Sequence, residues 1–390
     1  MYNHLPTLCN HLLSFINKQS FEVILGQHQT DKRSKKFDTW KTFLGLFVWQ
    51  VLNCSSSREL CWAFETHSSK LYHLWLYWVP RSTFSDRINK VPPIVFQTLF
   101  FHSLDEVKKV LSKQHQKDKV EHLYAIDSTL VSLTLSVFNR AYYRRKKWAI
   151  KLHTRLDLWL WVPDLVVISD GKLADSKASL DLIKWLWKGD VLLFDRWYLD
   201  YWWLYLLQQK DITFVTRTKT TTQYTPIEYF PIDHLQVQYD ARVEFIHQDA
   251  KENYPETLRI VRYIDLETGK EYEFITNNFT LPAKSIADLY RQRREIETLF
   301  RWLKQNLKIK QFFGTSQNAV ENQVWVALIY YLTVVLIKAK TRCRESLLEL
   351  TRKFSCLLFE RVNLLYIIWN DPKLLLKAIA PPPQGLFSLL

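Results

Sequence analysis

Val191-Leu192-Leu193-Phe194-Asp195 is a run of four apolar residues closed by an acid. A short continuous apolar run suits a central strand covered on both faces. Open α/β sheets place their ligands at the carboxyl ends of such strands, so Asp195 stands where chemistry is expected. Upstream, residues 123–135 are apolar and rich in Val, Leu and Thr, and residues 148–158 and 165–169 follow as strand-like runs. Residues 175–187 carry Leu, Ile and Trp at helical spacing, 201–207 read as a helix and 212–217 as extended. Three strands, helix, strand, helix and strand predict an α/β sheet covered by helices.

Beyond this block the pattern changes. Across residues 218–278 it is β: Val237, Tyr239, Ala241, Val243 and Phe245 alternate with polar residues, and Glu267-Thr268-Gly269-Lys270 offers a turn. Residues 283–306 have the pattern of one long amphipathic helix, the tail to about Trp369 reads as helical, and Pro381-Pro382-Pro383 ends regular structure. Residues 1–115 read as a helical domain with a basic cluster, Lys32-Arg33-Ser34-Lys35-Lys36. There, 57–64 and 81–90 are two short helices, the second started by Pro80. They suit a helix-turn-helix or an ordinary bundle equally; Arg81, Ser85 and Asn89 share one polar face of the second, fit for a major groove. The polar stretch 106–120 marks a boundary. The expected domains are 1–115, a core of 120–217 with 279–340, a β-rich insertion at 218–278 and a tail at 341–390.

Of 390 residues, 47% are hydrophobic, ample for a core, and the net charge of +14 favours a polyanionic partner. A membrane is the weaker choice: no basic stretch leads into an apolar run at the N-terminus. The longest apolar stretch, 324–337, is also shorter than the roughly 18 residues a span needs. The five scattered cysteines read as reduced thiols of a cytoplasmic protein. Only 7 glycines occur, so left-handed turn positions must be filled by costlier residues.

Three acids suit phosphodiester chemistry. Asp127 lies in an apolar strand, Tyr124-Ala125-Ile126-Asp127-Ser128-Thr129, where a lone carboxylate is costly unless paired or metal-bound. Asp195 ends a buried strand, and Glu297 sits on the long helix. Asp170, Asp175 and Asp190 compete with Asp195, and Glu295 with Glu297. The helix narrows the choice. At about 100° per residue, Tyr290, Arg293, Glu297 and Lys304 fall within about 60° of arc, next to the apolar arc of Leu289, Ile296, Leu299, Phe300, Leu303 and Leu307. A phenol, a guanidinium, a carboxylate and an ammonium thus form one stripe. Carboxylates can bridge two divalent ions that stabilise the attacking and leaving oxygens, while Arg293 and Lys304 grip phosphates and Tyr290 bonds a phosphate or stacks on a base.

Tyr290-x2-Arg293-x3-Glu297-x6-Lys304 resembles the Y-R-E-K signature of DDE transposases of the insertion-sequence type-four family. Ala125-Ile126-Asp127-Ser128-Thr129 is similar to that family's first-Asp motif, Lys151-Leu152-His153 to its following strand, and Asp195-Arg196-Trp197-Tyr198 to its second-Asp motif. Thr276-Asn277-Asn278 fits the approach to the glutamate helix. Trp197 and Arg294 depart from the glycine and tryptophan usual there. The resemblance covers about residues 120 to 335. It implies a ribonuclease H-like core with Asp127, Asp195 and Glu297 as catalytic and metal-binding triad, and Tyr290, Arg293 and Lys304 on DNA. It further implies two Mg²⁺ ions (Mn²⁺ able to substitute), binding of inverted-repeat ends, a homodimeric synapse and cut-and-paste strand transfer by a freed 3′-hydroxyl, through a hairpin in characterised relatives. The expected place is the prokaryotic cytoplasm, at the nucleoid. Two other readings are a two-metal nuclease of the same fold and a catalytically inactive DNA-binding repressor.

Overall fold

The computed structural model describes residues 6–32, 34, 37–71, 74, 80–114, 122–132, 149–171, 175–307, 312, 314 and 316–369. They form two compact units, one from residues within 1–116 and 302–390, the other from residues within 117–132 and 148–301.

Seven helices open the described chain: α1 (Leu8–Ser14), α2 (Lys18–His28), α3 (Thr39–Leu52), α4 (Ser57–Thr66), α5 (Ser68–Leu71), α6 (Arg81–Lys90) and α7 (Ile94–Gln114). Thr7, Asn17, Asp38 and Ser56 cap the first four by accepting a backbone N–H of the first turn. Helix α3 is apolar nearly all round and buries every residue from Thr42 to Val51, which makes it the axis of the helical unit. Helix α7 continues to Gln114, so the polar stretch expected to mark a boundary begins inside a helix. Arg33, Lys35 and Lys36 of the basic cluster lie outside the described residues, as does most of the connection before Pro80.

The second unit is built on one sheet. Strands β1 (Leu123–Ser132), β2 (Ala149–Asp157) and β3 (Val162–Asp170) pair antiparallel. Helix α8 (Asp175–Leu182) leads to β4 (Val191–Phe194), then α9 (Tyr201–Gln209) and β5 (Thr213–Arg217), with β4 parallel to both β1 and β5. Next come β6 (Tyr224–Tyr229), β7 (Val237–Phe245), α10 (Gln248–Asn253), β8 (Leu258–Asp265) and β9 (Lys270–Thr276). The nine strands run in the order β3-β2-β1-β4-β5-β9-β8-β7-β6. The first five, with their directions, form a ribonuclease H-like core. The segment at 218–278 is therefore not a separate sheet, because β9 pairs antiparallel with β5 and extends the core.

All four residues of β4 are buried, which makes it the interior strand its composition predicts. Two buried ion pairs fasten the sheet's surroundings. Arg155 pairs with Asp164 and donates to the carbonyls of Leu182 and Lys184, both at 2.7 Å. Arg259 grips Asp240 with two bonds of 2.8 and 2.7 Å and reaches the Leu281 carbonyl at 2.6 Å. It thereby fixes the lead into α11 (Ala283–Gln292) and α12 (Arg294–Asn306). The single helix expected over 283–306 is thus two. Arg293 separates them, with tight i→i+3 bonds on either side: Arg293 to the Tyr290 carbonyl, Ile296 to the Arg293 carbonyl.

The first unit closes with α13 (Gln317–Thr341), α14 (Leu347–Leu357) and α15 (Leu364–Trp369). Helix α13 is 25 residues long, longer than its apolar stretch suggests, and long and apolar enough to cross a bilayer; its apolar surface is buried inside the unit instead. Asn89 does not present a free polar face. Its Oδ1 accepts from Ser316 at 2.6 Å, its carbonyl accepts from Asn318 at 3.1 Å, and Asn322 bonds the Ile88 and Val91 carbonyls. The end of α6 is thus tied to α13. Pro381-Pro382-Pro383 lies outside the described residues.

Candidate active site

Strand register brings the two aspartates together. In the parallel β1–β4 pair Ile126 lies opposite Phe194, so the next residues along each strand's path, Asp127 in the middle of β1 and Asp195 just past the end of β4, stand side by side. Asp195 is fixed by local chemistry, its Oδ1 accepting the Trp197 N–H at 3.3 Å as cap of a 3₁₀ turn, Arg196–Tyr198. The Asp127 carboxylate accepts the Ser128 N–H at 2.7 Å. Glu297 arrives from α12, one helical turn after Arg293.

Arg293 occupies the centre. Its Nη1 lies 3.0 Å from Asp127 Oδ2, while its Nη2 lies 3.6 Å from Asp195 Oδ2 and 2.7 Å from Glu297 Oε1. Only 11% of the Arg293 side chain is exposed, against 20% for Asp127, 22% for Asp195 and 47% for Glu297. Burial pushes the Asp127 carboxyl up to about 6, outweighing the adjacent Arg293, which acts in the opposite direction. Tyr290 lies inside as well, at 9% exposure, with its ring beneath the Arg293 guanidinium at 5.6 Å. Its hydroxyl is buried, with the Arg293 guanidinium as the cation beside it. A cavity of about 220 Å³ next to these groups is lined by Arg217, Tyr290, Arg293, Arg294 and Glu297.

Three carboxylates are hard oxygen donors, the set that suits Mg²⁺ or Mn²⁺. Arg293 stands among them as the local cation, and among the described residues no three acidic, His or Cys side chains are close enough to share one ion. The donor chemistry fits a divalent metal, provided Arg293 yields the space between the carboxylates.

Residues 118–333 match the family model described as the transposase DDE domain. The chain belongs to the DDE transposase family. A second match, over residues 4–76, is to a domain of unknown function. The transposase y4zB of Sinorhizobium fredii is 30% identical over 64% of this chain and 70% of its own. A transposase for insertion sequence element IS5377 of Geobacillus stearothermophilus is 27% identical over 72% of this chain and 74% of its own. One for element IS4SA of Synechocystis is 25% identical over 74% and 80%. A solved synaptic complex of piggyBac transposase with hairpin DNA aligns with 97% of this chain and 83% of that chain at a TM-score of 0.48 and 12% identity. Transposases of this family are enzymes acting on DNA, and their DDE domains use divalent metal ions.

In this transposase domain two of the competing acids, Asp190 and Glu295, fall elsewhere. Asp190 lies before β4, at the opposite end of the strand from Asp195, where its buried carboxylate accepts the Trp187 N–H at 2.7 Å. Glu295 lies two residues from Glu297, on a different side of α12. The side chains of Asp170 and Asp175 lie outside the described residues. Lys304 is half-buried on α12, two turns beyond Glu297. Composition and motif left Arg217 unnoticed. Its place at the carboxyl end of β5, the strand beside β4, is the signal that could have found it.

Proposed function

We propose that Asp127, Asp195 and Glu297 are the catalytic carboxylates of a transposase that cleaves the inverted-repeat ends of a mobile element and joins them to target DNA. The observation that carries this reading is the meeting of all three on one guanidinium, beside the carboxyl end of β4 and the middle of β1. Those carboxylates would hold two Mg²⁺ ions, which supply Lewis acidity to both the attacking and the leaving oxygen. Asp127 and Asp195, set by strand register and a capping bond, give the rigid half of the ligand set. Glu297, on a helix and more exposed, gives the adjustable half. Arg293 balances the acids, and its guanidinium would also be the group to grip a phosphate flanking the scissile bond. The Tyr290 hydroxyl bonds a phosphate oxygen, and Lys304 contributes a further phosphate contact. Pairing of two ends calls for two copies of the chain, hence a homodimeric synapse.

Joining, not cutting alone, separates this reading from a nuclease or a repressor. The test supplies the full chain with Mg²⁺, duplexes ending in the element's terminal repeat, and a supercoiled target. The expected products are 3′-hydroxyl ends covalently joined to target strands. Cleavage with no joined product means a nuclease, and terminal-repeat binding with no cleavage means a repressor.

A further inference from the structure

The backbones beneath the two aspartates are held by different means. Asp127 lies inside β1, paired with Thr154 of β2, and that ladder continues past it to Ser132. Asp195 lies beyond the last pair of the β4–β5 ladder, Leu193 with Val215. There β5 turns to β9 alone, with Thr216 opposite Ile275, so the Phe194–Asp195 peptide has no residue pair on the β5 side. Thr216 fills that gap. Its hydroxyl donates to the Phe194 carbonyl at 2.8 Å, and both residues are fully buried. The Phe194 carbonyl and the Asp195 N–H share one planar peptide, so this bond sets the plane from which the Asp195 side chain departs. A valine of the same shape would suit a buried strand, and a hydroxyl is costly there unless it is bonded in this way.

Thr216 is in turn kept in register from the other side. Beyond the pair of Val215 with Thr276, two side chains continue the β5–β9 ladder. Asn277 accepts the Phe214 N–H at 2.9 Å and donates to the Ile212 carbonyl at 2.9 Å, while the Thr276 hydroxyl donates to the Phe214 carbonyl at 2.6 Å. Asn277 also donates to Gln208 Oε1 at 2.7 Å, which ties the same point to α9. Strand β5 therefore cannot slip along β4 without breaking side-chain bonds as well as backbone ones, and the Thr216 hydroxyl stays opposite the Phe194 carbonyl. The capping bond from the Trp197 N–H, at 3.3 Å, orients the Asp195 carboxylate and leaves the backbone beneath it to be set by β5.

We infer that Thr216 is a positioning residue for Asp195, its hydroxyl fixing the peptide that presents this carboxylate to a divalent ion. The inference rests on the reading of Asp195 as a metal-binding acid of the cutting site. Its test uses the full chain and two readings: Mn²⁺ affinity without DNA, from the paramagnetic signal of the free ion, and single-turnover cleavage of terminal-repeat DNA over a range of Mg²⁺. Thr216→Val removes the hydroxyl and keeps the shape. It should bind Mn²⁺ about tenfold more weakly and need about tenfold more Mg²⁺ for half-maximal cleavage, the lower end for loss of a group that orients a metal ligand. DNA affinity in EDTA should stay at the wild-type value. Thr216→Ala, which also lacks the hydroxyl, should reproduce the metal shift, and Thr216→Ser, which keeps it, should match the wild type. Thr333→Val removes a buried hydroxyl bond of similar length, 2.9 Å to the Ile329 carbonyl in the helical unit, and should leave both metal readings unchanged. Wild-type metal readings in Thr216→Val and Thr216→Ala, or a loss in Thr216→Ser as large as theirs, overturn the inference and leave the catalytic reading standing. If Asp195→Asn neither weakens Mn²⁺ binding nor slows cleavage, the catalytic reading fails, and the inference with it.

Discussion

One guanidinium balancing three carboxylates is an asymmetric arrangement, and Arg293 is where it can be disturbed. Replacing it with alanine leaves three acids facing each other at partial burial. We expect Arg293→Ala to lower stability in EDTA by about 2 kcal/mol, below the usual cost of breaking a buried pair because Glu297 is half in water. Saturating Mg²⁺ or Ca²⁺ should raise the melting temperature of the variant more than that of the wild type, because the ion replaces the missing charge. Equal metal-induced shifts in both would contradict the counter-ion role. Lys304 is expected to act differently. Lys304→Ala should reduce the salt slope of end binding by about 0.9, the share of one duplex phosphate. A large loss of thermal stability with DNA affinity intact would assign Lys304 to folding. At this scale the sequence was legible for the two aspartates, because a lone acid in or after an apolar strand is a visible anomaly. It was not legible for Arg293, since helical periodicity fixes the face of a side chain and not the strand ends it meets across the fold.

At the scale of elements, the scarcity of glycine has a measurable consequence. Among the described residues, Gln29, Asn53, Trp161, Trp185, Asp211 and Arg342 adopt positive φ, against two glycines, Gly189 and Gly269. Arg342 ends α13 at φ 51, where glycine is the usual residue. Arg342→Gly should stabilise the chain by about 1 kcal/mol, read as a higher denaturation midpoint, because it removes the left-handed strain of a side chain. Gly45 is the opposite case. A Cβ there would come within 2.5 Å of the buried Phe84 ring, where α3 meets α6. Gly45→Ala should cost about 1–3 kcal/mol, the range for overpacking. No change in either midpoint would show that these backbones relax freely. Element type was readable from periodicity for the buried strand β4 and for helices α9 and α11. The break at Arg293 was not, because the residues around it continue the amphipathic pattern unbroken while the backbone tightens by one bond.

For the molecule as a whole, the spaced motifs and their resemblance led to the family, and the tertiary arrangement of the strands came only with the fold. The surplus of +14 charges pointed to a polyanion, and the strand–helix alternation to a layered α/β core. That residues 218–278 would extend the core sheet through β9 could not be read from alternation, which describes a strand's faces and not its partner. The same limit applies to α6, whose polar positions looked fit for DNA until Asn89 was found bonded within its own unit. The central claim is that Asp127, Asp195 and Glu297 form one cutting site, and single-turnover cleavage of terminal-repeat DNA in Mg²⁺ tests it most directly. Asp127→Asn, Asp195→Asn and Glu297→Gln should each slow cleavage by at least about a thousandfold, with DNA affinity retained, as for groups that act as a unit. Asp190→Asn and Glu295→Gln, which lie off the cluster, should cut within a few-fold of the wild type. Cleavage that survives loss of any of the three, or that fails equally in Asp190→Asn or Glu295→Gln, would contradict the account.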